Sequence, residues 1–183
     1  KSEFASYLLP SWFLGKYPDK KVIQASNTAD LAVNFGRKVR NLVGSEEYAK
    51  IFPDVALRQD SKSAGRWATN KNGEYFAIGV GGTMTGKGAD LLIVDDLFLA
   101  RRITAEAAEV LQAIVHQRYK LRRAMVVTSN RVVQDWGKYL ADATMATTIL
   151  DRLMHRCAML EFEGKSYRLK EAAARIAMTG DSS

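Results

Sequence analysis

Residues 91–96 read Leu-Leu-Ile-Val-Asp-Asp (LLIVDD), and the fold is read outward from them. Four consecutive apolar residues, with no polar alternation, suit a parallel strand buried on both faces. The run ends in two carboxylates, Asp95 and Asp96. This is the form of a Walker B element, in which a rigid buried strand aims one carboxylate at a magnesium ion on nucleotide phosphates. Asp95 takes that place, and Asp96 is set to polarise an attacking water. The same six residues also suit a plain strand closing in an acidic turn.

One helix further on, AMVVTSN (residues 124–130) forms a second buried strand ending in polar residues. The intervening helix spans residues 104–119, capped by Thr104 and apolar at Ala107, Ala108, Leu111 and Val115. Beside a Walker B strand, Asn130 can present its amide to a γ-phosphate; alternatively, Ser129 and Asn130 simply make a turn. At the other end of the chain, Lys1-Ser2 matches the close of the phosphate-loop pattern GxxxxGK[ST], in which backbone N–H groups and a lysine hold phosphate.

The rest of the chain alternates strands and helices. Residues 3–14 predict a helix with Phe4, Leu8, Leu9 and Trp12 on one apolar face, strained by Pro10. A strand follows at Lys21 to Ser26, then a helix capped by Asn27 or Thr28 with Leu31, Phe35, Val39 and Leu42 at helical spacing. Residues 44–64 read as irregular, and Asn70-Lys71-Asn72-Gly73 as a hairpin turn between two alternating runs. Met145 to His155 predicts another helix. AMLEFEGKSYRLK predicts a hairpin turning at Gly164-Lys165, followed by a short helix. Strands alternating with helices imply an α/β layer fold with a mainly parallel sheet.

Composition narrows the function classes. The formal net charge of +7 favours a polyanionic partner. The cluster Arg118, Lys120, Arg122 and Arg123 is a candidate for DNA phosphates, or for favourable charge at a helix C-terminus. One cysteine, Cys157, and two histidines, His116 and His155, exclude a disulfide framework and a cysteine-based metal site. No run reaches the roughly 18 apolar residues of a membrane span and no leader pattern is visible, so the expected address is cytoplasmic.

Two stretches resemble known families. Residues 91–177, through TSNRVVQDWGKYL, ILDRLMHR and GKSYRLKEA, closely resemble the carboxyl half of IstB-like helper ATPases of insertion sequences. That resemblance implies an AAA+ ATPase that assembles as a homo-oligomer on double-stranded DNA and assists a transposase. It also implies an arginine finger at Arg152 and a second nucleotide sensor at Arg168. Residues 1–96, through KSEFASYLLPSWFLGKYPDKKVIQAS, DLAVNFGRKVRN, IFPDV and the stretch ending in LLIVDD, resemble the ATPase region of phage terminase large subunits. There, Lys1 and Ser2 become the tail of Walker A, with Ser2 joining Asp95 on magnesium and Lys1 on ATP.

The two resemblances meet at the Walker B strand, and residues 178–183 remain as a tail. Together they imply a P-loop NTPase (ASCE) three-layer fold lacking the Walker A strand and glycine loop. On that view the sheet has a gap beside the Walker B strand, and hydrolysis of ATP to ADP and phosphate requires a glycine-rich segment upstream. The alternatives are a DNA-packaging motor fragment and a non-catalytic chimera.

Overall fold

The structure is a computed structural model that describes residues 1–79, 88–98, 103–140 and 143–162. Its centre is a six-stranded sheet in the order β2-β3-β4-β1-β5-β6. The strands are β1 (Lys21–Ser26), β2 (Leu57–Lys62), β3 (Arg66–Thr69), β4 (Glu74–Gly79), β5 (Leu91–Leu97) and β6 (Ala124–Ser129). β4, β1, β5 and β6 pair in parallel, and β2 and β3 extend the sheet antiparallel beyond β4. LLIVDD occupies β5, which is paired on both sides, by β1 and by β6. The expected gap beside this strand is therefore absent: β1, supplied by KVIQAS, fills the position. Among the described residues the open edge on this side belongs to β6.

Helices cover both faces. On one side lie α1 (Leu9–Lys16), α2 (Ala29–Val43) and α3 (Glu46–Ile51), and on the other α4 (Ala105–Lys120) with α5 (Ala143–Met154). The period of two along the strands sorts the side chains. Val22, Tyr75, Leu91 and Ile93 pack with Leu14, Val39 and Val43 from the first group of helices. Ile23, Ile78 and Leu92 face the opposite way and meet Ile114 of α4. Two side chains cap the starts of helices: of the expected pair Asn27 and Thr28 it is Thr28, whose Oγ1 accepts from Leu31 N–H at 3.2 Å, and Thr104 Oγ1, as expected, accepts from Ala107 N–H at 3.2 Å. α2 lies close against the sheet because Gly36 has no side chain. A Cβ there would stand 2.5 Å from the Ala64 carbonyl oxygen, and Trp67, stacked on Tyr75, donates its indole N–H to the Gly36 carbonyl.

Three expectations change. Residues 44–64 are not irregular throughout but hold a helix and a strand, because Ser45 caps α3 by accepting from Tyr48 N–H and β2 pairs with β3. A six-residue helix and a polar edge strand carry too little hydrophobic period to be read from sequence. The helix over residues 3–14 forms as a π-helical segment, Glu3–Leu8, running without a break into α1, so Pro10 lies inside a continuous helical run, beside the change from π to α. Its buried face is not the large apolar one: Phe4, Leu8 and Trp12 are about half exposed, while Ala5, Ser6, Pro10, Ser11, Leu14 and Gly15 are buried. Close packing explains this, since a Cβ on Gly15 would lie 2.5 Å from the Phe52 ring. Finally, Ala158 to Phe162 has no regular structure, and the remainder of the proposed hairpin lies outside the described residues.

Ile93 is fully buried at the centre of β5. Ile93→Ala is expected to destabilise the protein by about 2–5 kcal/mol, a large part of a typical stability of about 5–15 kcal/mol. Urea unfolding followed by circular dichroism measures it; a loss below about 1 kcal/mol would mean that β5 is not central to the core.

Candidate functional site

The carboxyl end of β5 departs from a regular strand. Val94 pairs with Val127, but the next pair is Leu97 with Ser129, so Asp95 and Asp96 together stand opposite the single residue Thr128. That is a β-bulge, a device that re-aims side chains at the end of a ladder. Asp96 carries the bend with φ 53°, a left-handed conformation that Asp tolerates better than most residues. Phe98 follows at φ 66°. For so bulky a side chain this stores strain of order 1–3 kcal/mol, and the ring is held edge-on to Trp136 and stacked on Tyr139.

Thr128 joins the two aspartates. Its hydroxyl donates to Asp95 Oδ1 at 2.7 Å and accepts from the Asp96 N–H at 2.8 Å. Asp95 is 2% exposed, and its second oxygen, Oδ2, is buried without a hydrogen-bond partner. A carboxylate oxygen is a strong acceptor, and leaving it unpaired in a buried setting is costly. Its charge also reaches Tyr75, whose phenol is pushed far above its ordinary range by burial first and by Asp95 second. Asp96 pairs with Lys1, Nζ to Oδ1 at 2.8 Å.

The structure thus brings Asp95, Asp96 and Lys1 to one end of the sheet. Ser2 is half-buried at the start of the π-helical segment and is not bonded to Asp95. Asn130 is exposed just beyond β6, while the neighbouring Ser129 hydroxyl donates to the Leu97 carbonyl and accepts from Arg131 N–H. Arg152 lies apart, on α5, donating to the Thr148 carbonyl at 3.0 Å. It lines an open groove of about 240 Å³ with Glu109, Gln112 and His116 of α4. Arg168 lies outside the described residues.

The four basic candidates for DNA divide. Arg118 is partly buried and spends its guanidinium on the carbonyls of Ala89, Asp90 and Ala124. Arg123 pairs with the Asp90 carboxylate, while Lys120 and Arg122 are exposed. Sequence reasoning placed Thr128 at the polar end of this strand but did not see that its hydroxyl joins the two aspartates. The signal was its position, one residue ahead of the chosen Ser129-Asn130 pair on a strand expected to lie beside β5.

A parallel sheet covered by helices on both faces, with paired carboxylates at the end of a central strand, has the layout of a P-loop NTPase-like α/β fold. The family profile of the IstB-like ATP binding protein matches residues 83–174, half of the chain, and the chain belongs to that family. A relative from Pseudomonas aeruginosa, named as an ATP-binding protein of insertion sequence IS21, is 37% identical over 83 residues, 45% of this chain and 31% of the relative. Another, from Sinorhizobium fredii (strain NBRC 101917 / NGR234), named as an insertion sequence ATP-binding protein, is 40% identical over 87 residues, 48% of this chain and 34% of the relative. The chain therefore spans about a third of the length of the curated relatives it matches. The crystal structure of the HK97 bacteriophage large terminase superposes with a TM-score of 0.46 at 17% identity, covering 69% of this chain and 24% of that one. Among the described residues no helix is long and apolar enough to cross a membrane.

Thr128→Val keeps the shape of the side chain but leaves Asp95 Oδ1 and the Asp96 N–H without their partner. Each unpaired buried group costs about 1–3 kcal/mol, so the variant is expected to unfold at clearly lower urea than the parent. Parental stability in urea titration would show that the bulge holds without this hydroxyl.

Proposed function

We propose that this chain is the ATP-hydrolysing part of a mobile-element protein that helps DNA transposition. The Asp95 carboxylate, fixed by Thr128 at the end of β5, carries the reading, because a carboxylate held rigidly at a strand end is the hard donor that magnesium prefers. Asp95, with Ser2, would hold magnesium, and the ion would neutralise charge on the ATP phosphates. Lys1 would leave Asp96 for the phosphates once ATP is bound, a short move from its present ion pair. Asp96 would then be free to orient water and accept its proton. Asn130 would sense the γ-phosphate. Arg152, on the surface of α5, would reach a neighbouring subunit's nucleotide as an arginine finger, with Arg168 as a second sensor.

The partners in this reading are double-stranded DNA, a transposase and further copies of the chain on that DNA, in the cytoplasm. Lys120 and Arg122 are the better candidates for DNA phosphates, since Arg118 and Arg123 are already engaged within the protein. The reading also keeps residues 1–96 and 91–177 as two ancestral segments. Support for it comes from the family and from the names of the relatives, which are ATP-binding proteins of insertion sequences.

In protein extended by a glycine-rich segment ahead of Lys1 and active as an ATPase, Asp95→Ala and Asp96→Ala are expected to fail differently. Titration with a fluorescent ATP analogue and magnesium should show at least about tenfold weaker binding for Asp95→Ala. Asp96→Ala should bind normally and lose ATP turnover in a phosphate-release assay. Equal, mild effects of both would reduce the pair to the end of a strand.

A further inference from the structure

Thr128 accounts for one oxygen of Asp95, and the other is buried without a hydrogen-bond partner on a face that carries further polar residues outside the nucleotide motifs. β1 pairs with β5 as far as Ala25 with Val94, so Ser26 stands one step beyond, alongside Asp95. Val22 lies on the same sheet face as Leu91 and Ile93, and the period of two places Gln24, Ser26 and Asp95 on that face as well. Ser26 Oγ and Gln24 Nε2 are both buried and, like Asp95 Oδ2, lack a hydrogen-bond partner. So does Ser6 Oγ, on the helical segment that packs against β5. Gln24 is fixed from behind, since its Oε1 accepts from the Tyr75 hydroxyl at 2.5 Å.

The chemistry of these orphaned atoms is complementary. Gln24 Nε2 and the two hydroxyls can donate, and Asp95 Oδ2 can only accept while ionised. Buried polar atoms in proteins are almost always satisfied, and an internal water typically makes about three hydrogen bonds. We propose that Ser26 and Gln24 are positioning residues for Asp95, holding its Oδ2 through one ordered water as Thr128 holds its Oδ1. Asp95 then sits between hydroxyls on both neighbouring strands, and its carboxylate plane is set before any cation arrives. The proposal rests on Asp95 being the magnesium–nucleotide ligand for its consequence in binding, although the link to Ser26 exists without nucleotide.

The test combines two measurements on the full-length protein. In nucleotide-free thermal unfolding, Ser26→Ala is expected to lower Tm, and to lower it much less when Asp95 is already Ala. In ATP-analogue titrations, Ser26→Ala and Gln24→Leu should raise the magnesium concentration needed for half-maximal binding by about tenfold, with Ser26→Thr restoring it. A Ser26→Ala variant with unchanged or higher Tm would overturn the proposal, because it would show a hydroxyl that is truly unpartnered. An equal Tm loss with and without Asp95 would overturn it as well. If Asp95→Ala itself leaves magnesium–ATP binding intact, the ATPase reading fails instead, and the coupling in unfolding still decides whether Ser26 holds Asp95.

Discussion

The hydroxyl of Thr128 reaches across from β6 to two consecutive residues of β5, donating to the Asp95 carboxylate and accepting from the Asp96 N–H. A regular parallel ladder would give those two residues separate partners on β6. Here one side chain serves both, which lets the strand take in an extra residue without leaving a buried backbone donor unpaired. The left-handed turn at Asp96 follows, and with it the divergence of the two carboxylates. Asp95 is buried on the face covered by the first helices, and Asp96 pairs with Lys1.

The packing around this point is uneven in an instructive way. Beneath the first helices the core is built of interlocking large and small groups: Trp67 stacked on Tyr75, Gly36 pressed to the backbone at Ala64, and Gly15 against Phe52. Close approach there brings a polar row, Gln24, Ser26 and Asp95, under cover. The opposite face is a separate cluster in which Phe98, Trp136 and Tyr139 anchor the chain as it leaves β5. Aromatic packing on one side and a hydroxyl bridge on the other hold a backbone conformation that β5 alone would not adopt.

Polar chemistry also divides between structure and surface in ways that charge counting does not see. Arg118 belongs to a basic cluster in sequence, yet its guanidinium is drawn inward to three carbonyls near the start of β5 and β6. Burial lowers its pKa, and the nearby Arg123 lowers it further. Lys120 and Arg122 keep their heads in solvent.

LLIVDD and AMVVTSN were sufficient by themselves to specify two adjacent parallel strands with a helix between. The run in LLIVDD is buried as expected, but β6, formed by AMVVTSN, stands at the edge of the sheet and is only partly buried, because burial on both faces needs neighbours that a run of apolar residues does not specify. Thr28 and Thr104 likewise marked their helices, because an N-cap is a local interaction. The sequence could not show that KVIQAS lies beside β5, because strand order depends on contacts between residues far apart in the chain. It could not show that the first helix buries its small residues and leaves Phe4, Leu8 and Trp12 half exposed, since periodicity records where apolar residues lie and not what they pack against. Nor could it pick out Thr128 or the row of Gln24 and Ser26. Their roles come from register, and register was settled only when β1, β5 and β6 paired and the bulge set two residues against one.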